Sequence, residues 1–161
     1  MEVIVYPTEN HYDKLYEMLN KIKMYKRQYG NKSNNRLDFP DHYGAVFGIS
    51  KHRFYKTEGL SYYSKKYPKI YDEMKRIGDI IVPFQWKSIQ VNRNLVCPKH
   101  KDKKNTSQSI LVSFGEYTGG EIVVEGVEYN AYHTPIQFDG NKLTHWNNPI
   151  EGNKYSLVFF C

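Results

Sequence analysis

Apolar and polar positions divide the chain into a mixed first half and a β-rich second half. From Asn10 to about Gln28, the residues Leu15, Leu19, Ile22 and Tyr25 or Lys26 recur at three- and four-residue intervals with Lys and Glu between them. That spacing predicts an amphipathic helix, stopped at Gly30-Asn31. Residues 31–41 are polar and include Pro40, which predicts a loop, and Tyr43 to Ile49 predicts a short strand. Ile70, Met74 and Ile77 share one face of a second predicted helix, from Pro68 to about Ile77, with Gly78 at its end. From Pro83 the period changes. Trp86 to Leu95 reads as extended, with Gln90, Asn92 and Asn94 on one face because strand side chains alternate. Ser109–Phe114 is an apolar strand, and residues 115–120 (GEYTGG) a turn. Glu121–Glu125 is the returning strand, with a further turn at Gly126. Ile136–Phe138 runs into the hairpin signal Asp139-Gly140, and Tyr155–Cys161 forms a last strand. Short strands at near-regular spacing predict a mainly β (α+β) fold, a barrel or a two-sheet jelly roll, with helices from the first half packed outside it.

Composition narrows the class. At 161 residues the chain predicts one domain, with 1–85 as helical and mixed support and 86–161 as the β core. Apolar residues at 40% and charged residues at 25% exclude a disordered chain, and aromatic residues at 16%, with 15 Tyr, favour strands. No apolar run approaches the roughly 20 residues that span a bilayer. The first seven residues carry Glu2 and read as a strand rather than a signal peptide. Cys97 and Cys161 form neither a metal-type pair nor a disulfide framework, which predicts a reducing, intracellular setting. The charge of +6 is unevenly placed: residues 1–104 hold 21 of the 23 Lys and Arg and 11 of the 17 Asp and Glu, a balance of +10, and residues 105–161 balance at −4. Such asymmetry can steer a polyanion to one face, or serve only as a solvated surface.

The candidate chemistry lies in the second half. His100-Lys101-Asp102 sets an imidazole and a carboxylate two residues apart, on one face of an extended segment. His145, between the predicted hairpins and the last strand, supplies a third ligand. Two His and one carboxylate on one side of Fe(II) leave open positions for substrates. His133 is the rival third ligand, but it lacks a cation-x-Ser pattern at the right distance behind it. Nine residues after His145, Lys154 and Ser156 share a strand face, and together a cation and a hydroxyl make a receptor for a carboxylate. An unpaired Lys in a strand as apolar as residues 155–160 would be costly, which favours a partner.

The series His100-x-Asp102, Gly119-Gly120-Glu121, Phe138-Asp139-Gly140, His145, Pro149 and Gly152-Asn153-Lys154-Tyr155-Ser156 resembles the Fe(II)/2-oxoglutarate-dependent dioxygenase superfamily over residues 86–161. The resemblance implies a double-stranded β-helix (jelly-roll, cupin-like) core, with Fe(II) held by His100, Asp102 and His145. It also implies 2-oxoglutarate as cosubstrate with its distal carboxylate on Lys154 and Ser156, O2 as oxidant, and ascorbate as an optional reductant. Asn92 or Asn94 would bond cosubstrate or substrate, or else make ordinary turn contacts. Most families carry Arg where Lys154 stands; Lys is shared with prolyl hydroxylases and binds as a point charge.

Three readings of the target remain open. Asn105, five residues after His100, resembles the His-x-Asp-x-x-Asn pattern of the TET/JBP group, which oxidises 5-methyl groups on pyrimidines and contacts the base through that Asn. Cys97 is a further likeness, and Lys99, Lys101, Lys103 and Lys104 could grip phosphates of a nucleic acid whose base is flipped or single-stranded. Lys154 points instead to a prolyl or other protein side-chain hydroxylase, with a peptide in an aromatic groove that could use Tyr62, Tyr63, Tyr67 and Tyr117. The third reading is a non-catalytic jelly-roll binding module, which predicts that the triad holds no metal.

Overall fold

The computed structural model describes residues 2–27, 42–51, 57–102 and 108–161, which form two antiparallel sheets and three helices. In chain order the elements are β1 (Ile4–Val5), α1 (Asp13–Asn20), β2 (Lys26–Arg27), β3 (His42–Lys51), β4 (Glu58–Leu60), α2 (Tyr62–Lys66) and α3 (Pro68–Ile81). There follow β5 (Ser88–Arg93), β6 (Ser109–Gly119), β7 (Ile122–Val124), β8 (Val127–Tyr129), β9 (Ile136–Phe138), β10 (His145–Asn147) and β11 (Ile150–Phe160). The larger sheet runs β1-β9-β6-β11-β5-β3-β2, with β4 added on β3, and the smaller runs β10-β7-β8. From β5 onward the chain alternates between them. β5, β6, β9 and β11 lie in the larger sheet; β7, β8 and β10 lie in the smaller, where His100 also pairs with His145.

Two apolar clusters fix this arrangement. In β11 the side chains alternate, so Tyr155, Leu157 and Phe159 bury against Phe47, Ile89, Val91, Val112 and Phe114 on one face of the larger sheet. Leu15 and Leu19 of α1 and Ile70, Met74 and Ile77 of α3 cover that face. Lys154, Ser156 and Val158 therefore point to the other side, towards the smaller sheet. The second cluster joins Ile122 and Val124 of β7 to Ile136 and Phe138 of β9, with Ala131 and Leu143. None of the described helices is long and apolar enough to cross a membrane.

The mainly β character and both helices match expectation, but several boundaries differ for physical reasons. The first helix ends at Asn20 rather than near Gln28. Met24 must reach the core, and Lys26–Arg27 must pair with His42–Tyr43, which a continuing helix would prevent. The predicted stop at Gly30 and the loop 31–41 lie outside the described residues. Gly78 does not end the second helix, which continues to Ile81. A side chain at Gly78 would meet the Trp86 indole and the Phe159 ring, so this glycine serves close packing. Residues 115–119 are not a turn either. β6 runs through them to Gly119, paired with β11 back to Ile150, so the last strand begins at Ile150 rather than Tyr155. Asp139-Gly140 closes no hairpin: β9 pairs with β6 and β1, and the chain then crosses to β10 in the smaller sheet.

Candidate metal centre

His145 is placed by β10, whose partner across the smaller sheet is Val124. His100 is placed beside it by a reciprocal backbone pair, His100 N–H to His145 O at 3.0 Å and His145 N–H to His100 O at 2.9 Å. Two residues on, the Asp102 N–H donates to Gly140 O at 2.8 Å, and Asn141 Nδ2 donates to Asp102 O at 2.8 Å. The segment between β5 and β6 is thus pinned at both ligands by main-chain bonds. Gly140 leaves the space that Asp102 Oδ2 occupies, and a Cβ at that position would force the carboxylate to shift.

The three side chains converge. His100 Nε2 lies 3.3 Å from Asp102 Oδ1, and His145 Nε2 lies 3.8 Å from Asp102 Oδ2. One ligand atom from each residue falls within 4.8 Å of the others. Each imidazole is oriented from behind: His100 Nδ1 is 2.7 Å from Pro98 O, and His145 Nδ1 is 2.9 Å from Leu143 O. A carbonyl can only accept, so each Nδ1 carries the proton and each Nε2 offers a lone pair to the centre. Phe138 meets the His145 ring edge-on at 5.1 Å. Ligand atoms at right angles on an octahedral ion with bonds near ~2.1 Å stand about 3 Å apart. The observed separations of 3.3 and 3.8 Å are somewhat longer than that, and the donor set of two imidazoles and one carboxylate fits Fe(II).

Lys154 is buried on the face of the larger sheet that looks to the smaller one. Its Nζ donates to Gly120 O at 2.8 Å and lies 5.8 Å from the centroid of the Tyr117 ring. Among the described residues no carboxylate is within ion-pair distance of it. Burial pulls its ammonium down to about 8, opposed only in part by Cys97 and Glu121. Opposite Lys154 stands Gly115, and Gly120 (φ +70°) leaves room for the lysine stem. In the sequence Gly115 read only as a turn residue, and Gly120 as a turn residue and within the Gly119-Gly120-Glu121 motif, with no link to Lys154. Ser156 is half-buried on the same face, opposite Ser113 in β6 and Asn92 in β5. Ser113 Oγ is buried on this face, and Tyr117, two residues beyond Gly115, has its hydroxyl pushed up to about 12 by burial, opposed in part by its contact with Ser113. Sequence reasoning passed over Ser113, and passed over Tyr117 as a neighbour of Lys154. Only strand parity, once Lys154 was chosen, could have found them.

Asn92 is buried with its Oδ1 3.1 Å from His42 Nε2 and 3.0 Å from Gln90 Nε2. Asn94 does not share its face. It lies beyond β5 with φ 54°, and its main-chain N–H and Oδ1 clamp Lys154 O and N at 2.8 and 2.7 Å. His133 stands apart from the triad, its ring stacked on Tyr132 at 4.0 Å. Tyr62, Tyr63 and Tyr67 form one ring cluster that reaches Phe47 on the helical side, so they share no groove with Tyr117. Asn105, Lys103 and Lys104 lie outside the described residues.

Among solved structures, an oxidoreductase of the 2OG-Fe(II) oxygenase family from Burkholderia pseudomallei matches with a TM-score of 0.62 at 18% identity, over 98% of this chain and 84% of that one. The chain has the fold of the 2OG-Fe(II) oxygenases. NgTET1 in complex with 5mC DNA matches this oxygenase fold with a TM-score of 0.62 at 14% identity, over 99% of this chain and 71% of that one. OsALKBH1 matches with a TM-score of 0.57 at 11% identity, over 98% and 96%. No protein-family model matches the sequence, and no curated protein does.

Proposed function

We propose that the chain is an Fe(II)/2-oxoglutarate-dependent dioxygenase on a double-stranded β-helix core, acting on methylated pyrimidine bases in nucleic acid. The observation that carries the chemistry is the convergence of His100, Asp102 and His145, with both Nδ1 atoms tied to carbonyls. The alternation of strands between the two sheets supports the core architecture. When bound, Fe(II) with 2-oxoglutarate and O2 supplies oxidation of an unactivated C–H bond, with succinate and CO2 as coproducts.

The chain's own residues have separate tasks. His100, Asp102 and His145 hold the metal from one side and leave its other positions free. Lys154 takes the distal carboxylate of the cosubstrate, aided by Ser156; a buried ammonium that lacks a carboxylate gains most from one arriving. Asn94 keeps the Lys154 backbone in place, and Asn92 lines the same face from the next strand. Phe138 packs edge-on against the His145 ring. The nucleic-acid target rests on Asn105, on the +10 balance of residues 1–104, and on a fold shared with a protein solved on 5mC DNA.

A protein side-chain hydroxylase is the second reading, favoured by Lys rather than Arg at 154. The two separate in one assay: succinate formed from 2-oxoglutarate in the presence of methylated oligonucleotides or of proline-rich peptides. Stimulation by the oligonucleotides is expected. Stimulation by peptide alone would reject the nucleic-acid target, and no succinate under any condition would reject the enzyme in favour of a binding module.

A further inference from the structure

Two segments far apart in sequence carry lysine and tyrosine and no carboxylate: residues 21–27 (KIKMYKR) and 59–71 (GLSYYSKKYPKIY). The fold brings them together. Tyr25 meets Tyr63 with ring centroids 6.3 Å apart, and the Tyr25 N–H donates to the Tyr63 hydroxyl at 2.9 Å. Tyr63 in turn contacts Tyr62 at 5.4 Å and Tyr67 at 6.2 Å. Tyr63 and Tyr67 are anchored on the core, while Tyr25 and Tyr62 remain 60% and 56% exposed. Tyr43, 47% exposed, extends the surface through its pairing with Lys26.

Cations are threaded through these rings. Lys66 Nζ lies 5.6 Å from the Tyr62 ring and 5.5 Å from the Tyr67 ring, and Lys75 Nζ lies 4.5 Å from that of Tyr71. Lys21, Lys23, Lys26, Lys65, Lys66 and Lys69 are all exposed. The nearest acids along α3 are engaged locally, Asp72 with Lys75 at 3.2 Å and Glu73 with Arg76. A solvated lysine face needs no exposed rings, and an ordinary aromatic core would bury them. Stacking platforms interleaved with cations, on two segments that themselves carry no carboxylate, match a chain of π-faces joined by phosphates.

We propose that this tyrosine–lysine surface, on the opposite face of the larger sheet from Lys154 and Ser156, is a docking site for single-stranded nucleic acid. It lies outside the iron site and does not depend on the reaction carried out there. The rings take bases without regard to sequence, and the lysines take phosphates. A strand held there is kept at high local concentration for the rest of the molecule.

The test is fluorescence anisotropy of labelled single-stranded 20-mers with the full chain over a series of salt concentrations. The double variant Tyr25→Ala/Tyr62→Ala should weaken binding at fixed salt by roughly tenfold or more, with an unchanged salt slope. Lys65→Gln/Lys66→Gln should reduce the slope of log K against log salt by about 0.7 for each phosphate that is no longer neutralised. His100→Ala should bind as the wild type does, which separates this surface from the iron site. The proposal is overturned if wild-type protein does not bind single strands, or if both double variants bind like wild type. Loss of binding in His100→Ala would also overturn it, by placing the strand at the metal. So would equal binding of heparin or phosphatidylserine vesicles with no effect of the tyrosine pair, since the surface would then act by charge alone.

Discussion

At the scale of single residues, Gly140 and Lys154 make the sharpest claims. Gly140 has no side chain because Asp102 Oδ2 occupies the place where a Cβ would sit. Gly140→Ala should therefore push the carboxylate off its position and lower Fe(II) affinity by about 10–100-fold, the range seen when a group that supports a metal ligand is removed. Equilibrium titration on the folded variant checks this; native affinity would remove Gly140 from the site. Lys154 gives a pH prediction. Its ammonium is held at about 8 in the ligand-free fold against 10.5 for an ordinary lysine. Below pH about 8 it is charged in both folded and unfolded chains, and its burial penalty is fully present. Between about 8 and 10.5 the folded chain sheds that proton first, so this contribution to stability improves as pH rises. A carboxylate ligand reverses the preference by stabilising the charged form. Affinity for 2-oxoglutarate should be flat below pH about 8 and fall by up to about tenfold per unit above it. Lys154→Ala should bind far more weakly and lose that pH dependence, which calorimetric titration would reveal. His-x-Asp was legible as a pair of side chains that converge with His145, because ligand chemistry restricts the residue types that can serve. Gly115 read as a turn glycine and Gly140 as a member of Phe138-Asp139-Gly140, since the close approach each one serves is defined by an atom that the fold brings in.

At the scale of elements, periodicity located the two main helices and the apolar strands, and failed where tertiary contacts decide the ends. The first helix has the spacing to continue through Ile22 and Tyr25, yet pairing of β2 with β3 takes residues 26 and 27 into a sheet. β6 keeps its pairing through Gly115 and Gly119, with φ of 125° and 74°, so residues that suggested a turn are instead kinks in a long strand. Helix α3 allows a quantitative check. Ala for Gly in a helix interior gains about 1 kcal/mol of propensity. The methyl at Gly78 would be forced against Trp86 and Phe159, and overpacking costs about 1–3 kcal/mol. Packing should win, so Gly78→Ala should lower the melting temperature by a few degrees. A higher melting temperature would mean that Gly78 is a weak helix residue and not a packing requirement.

At the scale of the whole molecule, two sheets share the work. The larger one buries its far face under the helices and turns Lys154, Ser156 and Asn92 towards the smaller one; the smaller one carries His145 and, through a backbone bridge, His100. The general plan of β core and supporting helices was legible because alternation and glycine spacing are local. The assignment of each strand to a sheet was not, because it depends on which strands pair across long stretches of chain. The charge asymmetry was visible as a sum, but the meeting of Tyr25 with Tyr63 that gives it shape requires the fold. The most direct measurement is anaerobic Fe(II) titration of the wild type and of His100→Ala, Asp102→Ala and His145→Ala. One Fe(II) per chain is expected, with each variant weakened by more than the roughly 100-fold that removal of a supporting hydrogen bond can cost. Native affinity in any folded variant would contradict the metal centre described here.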